Sequence, residues 1–350
     1  MNEPTQTYNP QLPPPRRKTN WVPWVIIGFV VLLLGGCFMT MVTAVAEAGS
    51  SVSFSSGSSS DDYTTGVFHE DEGASEKLAV VAIRGVISGQ RSSYKESMTD
   101  EAIKQIEQAT EDKDIKGLLL YLDTPGGEVT ASDKIYHACK QFSETGRPIV
   151  AYMDTVAASG GYYIACAADE VVATETTITG SIGVIIGGLN GKELFDKLGL
   201  KDQTFKSGAF KDTLSMSRDM REDERAYIQS LVDETYEKFA GIVSEARNIP
   251  VETLKDGIAD GRIFHGVKAK EVGLIDHTGY VEDAIEVLKK RANLEKAKVI
   301  HYKQEPSFGD VLSILGVKAQ SESEVKVDWG QGKFTQNLKP FVPYIILPGY

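Results

Sequence analysis

Three short runs of small residues carry the side chains and backbone groups best suited to chemistry in this chain. The first is Leu119-Leu120-Tyr121-Leu122-Asp123-Thr124-Pro125-Gly126-Gly127-Glu128-Val129, which reads as a buried strand, a tight turn and the start of a helix. At such a turn Gly126 and Gly127 can present backbone N–H groups to a developing oxyanion with no Cβ in the way; the plain alternative is an ordinary strand-to-helix connection. The second is Met153-Asp154-Thr155-Val156-Ala157-Ala158-Ser159-Gly160-Gly161-Tyr162-Tyr163. Ser159 falls at or near a helix N-terminus, where the dipole and free N–H groups favour negative charge, and Gly160 and Gly161 leave its hydroxyl open to approach. Its plain alternative is a simple N-cap. The third comprises Thr179-Gly180-Ser181-Ile182-Gly183-Val184 and, further on, Phe205-Lys206-Ser207-Gly208-Ala209-Phe210-Lys211-Asp212. A nucleophilic serine needs a base, and the five histidines, at positions 69, 137, 265, 277 and 301, are scattered. A lysine can serve where burial makes its charged form costly. Lys211 is the candidate and Lys206 the competitor, against the plain alternative of solvated surface charges.

Other chemistries are excluded by spacing. Gly191-Lys192 is followed by Glu193, and Ile186 stands where a phosphate-binding loop needs glycine. There is no GxSxG elbow, no HExxH and no GxGxxG after a strand. Three cysteines, Cys37, Cys139 and Cys166, give neither a disulfide framework nor a CxxC zinc spacing. A net charge of -12 argues against nucleic-acid binding, which needs basic patches.

The elements that must position these residues alternate along the chain. Strands are predicted at residues 78–84, 117–123, 148–153 and 170–174, and helices at 102–109, 129–142 and 159–168. Short apolar runs separated by helices imply a parallel sheet covered on its faces. A long amphipathic helix follows, carrying Ile228, Leu231, Val232, Phe239, Ile242 and Val243 and stopping before Pro250. Residues 251–302 read as further helix and short strand.

Ahead of this domain, residues 1–21 form a Pro- and Gln-rich arm predicted to be disordered and cytoplasmic. Residues 22–46 contain no charge before Glu47 and are predicted to be a transmembrane anchor, since about 25 residues at ~1.5 Å each span a bilayer core. Trp21 and Trp24 flank it, and Arg16, Arg17 and Lys18 place the N-terminus inside and the rest outside the cell membrane. Leu34-Gly35-Gly36-Cys37 has the look of a lipoprotein box that would lipidate Cys37, but the apolar run continues past it; Ala44-Val45-Ala46 offers a signal-cleavage pattern after a segment long for a signal peptide. Residues 47–76 are rich in Ser, Gly and acids and read as a linker. The domain proper is expected over 77–303, and 304–350 as an extension ending in an apolar tail.

Taken together, Asp123-Thr124-Pro125-Gly126-Gly127, Ala157-Ala158-Ser159-Gly160-Gly161-Tyr162-Tyr163, Thr179 to Val184, Ser207-Gly208-Ala209-Phe210-Lys211-Asp212, and Asp260-Gly261-Arg262-Ile263-Phe264-His265-Gly266 with Gly273-Leu274-Ile275-Asp276 resemble the signal peptide peptidase A family. These are membrane-anchored serine–lysine peptidases of the Clp-protease/crotonase superfamily. The resemblance covers about residues 78–300 and fits the single-copy form. It implies an α/β spiral of ββα units after one transmembrane helix, with Ser159 as nucleophile, Lys211 as general base, Ser181 orienting the lysine, and Gly126, Gly127 and Gly160 at the oxyanion and substrate site. It also implies no metal or other cofactor, and peptide substrates such as signal-peptide remnants and other apolar extended peptides. The remaining expected partners are membrane lipid through the anchor and copies of the chain in a ring, which raises a dyad shared between neighbours.

Two rivals remain at this stage. A crotonase-like acyl-CoA enzyme would hold an enolate with the same backbone amides, but calls for a carboxylate in place of the Ser/Lys pair. A non-enzymatic membrane scaffold would keep the glycine turns without needing Ser159. Residues 341–347 are apolar enough to be substrate-like, and are expected to pair as an added strand in a catalytic groove.

Overall fold

The computed structural model describes residues 63–91 and 96–303, together with the backbone of 344–346. The expected arm, the anchor at 22–46 and most of the linker lie outside the described residues. Among the described residues no helix is long and apolar enough to cross a membrane.

The elements are, in order, β1 (Thr64–Glu70), β2 (Lys77–Arg84), α1 (Met98–Glu111), β3 (Ile115–Thr124), β4 (Gly126–Glu128), α2 (Val129–Ser143), β5 (Ile149–Ala158), α3 (Gly160–Ala165), β6 (Glu170–Ala173), β7 (Ile178–Gly180), α4 (Lys192–Leu198), α5 (Glu222–Arg247), α6 (Val251–Lys255), β8 (Ile263–His265), α7 (Gly266–Glu271), β9 (His277–Thr278), α8 (Val281–Arg291), β10 (Lys298–Lys303) and β11 (Tyr344–Ile346). The main sheet runs β1-β10-β2-β3-β5-β6-β9 and is parallel except for β1 on β10.

Both faces are covered, which is why β3 and β5 read as continuous apolar runs. Leu118, Leu120 and Leu122 of β3 face the larger core with α1, α2 and α3, whereas Leu119 points with Val150 and Tyr152 of β5 toward Ile285 and Leu288 of α8. Ser97 caps α1 by accepting from the Asp100 N–H at 3.0 Å. Asn248, left-handed, ends α5 before Pro250.

The mixed α/β order and mostly parallel sheet agree with the expected architecture, and three stretches differ from the expected elements. Residues 64–70, read as linker, form β1, because the last strand of the domain, β10, offers an edge that the sequence of β1 does not announce. Strand β5 runs to Ala158 rather than Met153, since Val156, Ala157 and Ala158 pair with Ile178, Thr179 and Gly180 of β7. Helix α3 is correspondingly short and ends at Ala165. Off the main path, β7 also pairs antiparallel with β8. Strand β4 has neighbours of its own: Ile87 pairs parallel with Gly127, and β11 pairs antiparallel with Ile345 opposite Gly127.

Candidate active site

The last residues of β5 and β7 are paired, Ala158 with Gly180, so the two serines that follow them, Ser159 and Ser181, leave the sheet side by side. Both have positive φ, 54° and 51°. Such conformations cost roughly 1–3 kcal/mol at a non-glycine residue and cluster at functional sites. Ser159 is held there by its own N–H, which donates to Gly180 O at 2.8 Å, and by its carbonyl, which accepts from Tyr163 N at 2.9 Å. Ser181 N donates to Arg262 O at 2.8 Å and Gly261 N to Ile182 O at 3.1 Å, so the Asp260-Gly261-Arg262 turn buttresses Ser181.

Ser159 stands at the N-cap of α3, yet its side chain makes no capping bond. Its residue is 1% exposed and its Oγ is buried without a hydrogen-bond partner. A buried, unsatisfied hydroxyl costs about 1–3 kcal/mol, so the plain N-cap reading does not account for it.

Gly160, the residue after Ser159, packs against the glycine pair. A Cβ on Gly160 would lie 3.3 Å from Gly127 N and 3.4 Å from Gly126 Cα, and 2.4 Å from Ser132 Oγ. Gly126, at φ 102°, turns the chain after Pro125. Its carbonyl accepts from Ile87 N at 2.8 Å, and Glu128 N donates to Ile87 O at 2.9 Å. These bonds occupy the inner edge of β4, and a Cβ on Gly127 would sit 2.0 Å from Ile87 O; this approach requires glycine. The opposite edge of β4 is where β11 runs.

The floor below is rigid. Tyr162 Oη donates to Leu274 O at 2.7 Å, and Tyr163 Oη to Asp133 Oδ1 at 2.6 Å. Burial, with Asp133 beside it, pushes the Tyr163 phenol well above its usual range. Burial likewise pushes the Cys139 and Cys166 thiols up to about 12, which keeps both as inert thiols. Among the described residues no group of three or more His, Cys, Asp or Glu side chains could hold a metal ion.

The lysines separate clearly. Lys206 is tied to Asp212 by an ion pair of 2.6 Å. The Lys211 side chain is exposed and has no hydrogen-bond or ion-pair partner among the described residues. One chain thus brings Ser159, Ser181, Gly126, Gly127 and Gly160 together and leaves Lys211 without a bond to Ser159 Oγ. Three contributors were not singled out by sequence: Ser132, packed behind Gly160; Ile87, backing β4; and the pair Arg218 and Glu224, which joins Asp212 in a charged cluster.

Comparison with known proteins decides the family. The profile of peptidase family S49 matches residues 141–295, and that of Clp protease residues 78–179. A protein of Enterococcus faecium, provisionally named signal peptide peptidase SppA, is 41% identical over 253 residues, 71% of this chain and 73% of its own. The chain belongs to peptidase family S49. Further relatives include a provisionally named protease of Synechocystis sp., 39% identical over 64% of this chain and 77% of its own, and the chloroplastic serine protease SPPA of Arabidopsis thaliana, 30% identical over 70% of this chain and 38% of its own. This S49 protein is accordingly a serine peptidase, and the Clp-protease match agrees with its parallel, two-faced sheet.

Proposed function

We propose that this serine peptidase is anchored to the cell membrane by residues 22–46, with its catalytic domain outside the cytoplasm, and that it cleaves signal-peptide remnants and other apolar extended peptides with Ser159 and Lys211. The observation that carries the reading is the buried, unpartnered hydroxyl of Ser159 on a strained backbone, next to Gly160, which packs on the Gly126–Gly127 backbone.

In the proposed cycle neutral Lys211 accepts the Ser159 proton while Oγ bonds to the substrate carbonyl carbon. The carbonyl oxygen becomes an oxyanion that accepts a hydrogen bond from backbone N–H at the Gly126–Gly127 turn, where Gly127 N is the donor left over once Gly126 N has bonded to Thr124 Oγ1 at 3.1 Å, with Gly160 keeping the space open. Collapse breaks the C–N bond, and the leaving amine takes the proton from Lys211. Lys211 then deprotonates a water that attacks the acyl ester, and the proton returns to Ser159. Ser181, beside Ser159, orients the lysine.

A homo-oligomeric ring that supplies Lys211 from a neighbouring copy accords with two features of the single chain. Ser159 Oγ lacks a partner while Lys211 is exposed. The segment bearing Lys211 also exposes Leu189, Leu194, Leu198 and Phe205, the last 95% accessible, and α4 buries no residue of its own. Apolar side chains presented in this way mark an interaction surface.

The test is hydrolysis of an apolar peptide by the full chain. Ser159→Ala should abolish it, and Lys211→Arg should be as inactive as Lys211→Ala, because arginine stays protonated. Retained hydrolysis in Ser159→Ala favours the scaffold or acyl-CoA readings; an active Lys211→Arg variant removes the lysine from the mechanism.

A further inference from the structure

The segment between α4 and α5 has no helix or strand of its own through residues 200–221, and its backbone bonds are few. Around Lys211 they are Lys211 N to Gly208 O at 3.2 Å, Thr213 N to Phe210 O at 3.3 Å and Ser215 N to Asp212 O at 3.0 Å. A loop so lightly bonded would carry a wandering side chain. Its neighbours, however, are fastened to the first turn of α5 by a network of charged groups.

Arg218 is the centre. Its Nε and Nη2 donate to Asp212 Oδ2 and Oδ1 at 2.9 and 2.8 Å, and its Nη1 and Nη2 donate to Glu224 Oε2 and Oε1 at 2.8 and 2.6 Å. One guanidinium therefore grips two carboxylates with two bonds each, a geometry an ammonium could not make. Glu224 is fully buried and also accepts from Arg221 N at 2.9 Å. The Arg221 guanidinium reaches back to Ala209 O at 3.2 Å and lies over the Phe210 ring, which packs edge-on to Tyr227 at 5.4 Å. Ala209 is thus tied to the N-cap of α5, Phe210 packs on Tyr227 in its second turn, and Asp212 is tied to it through Arg218, while the Lys211 side chain between them has no partner.

We propose that the Asp212–Arg218–Glu224 knot positions Lys211, fixing the loop on both sides of it so that its side-chain nitrogen projects in one direction toward the serine it serves. The inference rests on the reading of Lys211 as the base. Arg218, Asp212 and Glu224 are positioning residues and need touch neither substrate nor Ser159. A displacement of about 1 Å in a catalytic group costs on the order of 100-fold in rate, so a loosened knot should be read in kcat.

The experiment uses the full chain with Arg218→Lys, which keeps the charge and loses the fork, and Asp212→Asn, which leaves the Arg218–Glu224 pair intact in case the first variant does not fold. Each should lower kcat by roughly 10- to 100-fold with KM within about twofold. Each is then combined with Lys211→Ala and assayed with added ethylamine, a free base that needs no loop. If the knot acts through Lys211, ethylamine restores the same rate with and without the second substitution. Wild-type kcat in Asp212→Asn, or poorer ethylamine rescue in the double variants, overturns the proposal. An active Lys211→Ala enzyme instead shows that the assignment of the base is at fault.

Discussion

Gly160 offers a test in which packing and chemistry can be separated. In Gly160→Ala the new methyl would lie 2.4 Å from Ser132 Oγ, 3.3 Å from Gly127 N and 3.4 Å from Gly126 Cα. The first distance is an overlap in a fully buried place, and such overpacking costs about 1–3 kcal/mol. Alanine's helix preference at the start of α3 offsets up to ~1 kcal/mol. The net loss is then ~1–2 kcal/mol, a fall in melting temperature of about 2–8 °C for a domain of this size. Ser132→Ala removes the offending oxygen together with its bond to Glu128 O, 3.0 Å long, and should cost ~1 kcal/mol alone. With the overlap gone, the double variant should melt no lower than Ser132→Ala, a coupling of at least ~1 kcal/mol between the sites. Activity should behave differently, because the methyl still presses on Gly127 N at 3.3 Å. In both Gly160→Ala proteins kcat should fall about 10- to 100-fold. Melting by calorimetry and initial rates on one peptide provide both readouts. Strictly additive melting shifts would refute the clash, and full recovery of kcat in the double variant would refute the placement of Gly127 at the reacting centre.

Three further outcomes are expected. Mixing Ser159→Ala and Lys211→Ala chains with subunit exchange should restore about a quarter of wild-type activity if each site draws on two neighbours, since each required residue is intact in half of the contributing chains; no recovery in mixed rings verified by mass would show that each chain builds its own dyad. Deleting residues 335–350 should lower KM, because β11 lies along the edge of β4 that a substrate strand would use; an unchanged KM and a C-terminus intact after long incubation would remove the tail from the groove. Asp71→Asn should cost about 2 kcal/mol at neutral pH, since Lys289 and the Ala297 N–H hold the Asp71 carboxyl down at about 2; that stability exists only while Asp71 is ionised, so the difference in melting temperature should shrink as the pH falls from about 4 to about 2 and be unchanged above that.

Much of this arrangement was legible in the sequence where local chemistry determines it. The apolar runs of β3 and β5 announced a sheet covered on both faces, and the Pro125-Gly126-Gly127 turn and the small residues around Ser159 marked the places where backbone must come close. Features created by distant pairing were not legible. Strand β1 exists because β10, more than 200 residues away, offers an edge to it, and β5 extends to Ala158 only because β7 lies alongside. Ser132 is one serine among many until Gly160 is packed against it. Arg218 and Glu224 lie in a run of charges that suggests solvent, and only the fold reveals that Glu224 is buried.

The division between the two halves of the candidate site has a physical logic. Ser159 follows the end of a parallel strand, and the glycines lie on β4 between Ile87 on one edge and β11 on the other, so backbone pairing holds both in place. Lys211 sits on a loop without regular structure, which the same sheet cannot brace. A loop of that kind can hold a side chain in one direction only if charged groups replace the missing ladder, and Arg218 with two carboxylates is such a replacement. The exposed apolar residues nearby then matter for the same reason. Burying them against another copy would bring a neighbour's Lys211 out of water and give the orphaned Ser159 hydroxyl the partner it lacks in the single chain. If the proposed ring supplies Lys211 in this way, dilution below the assembly threshold should abolish activity while leaving the fold of each chain intact, and activity per chain unchanged on dilution would refute it.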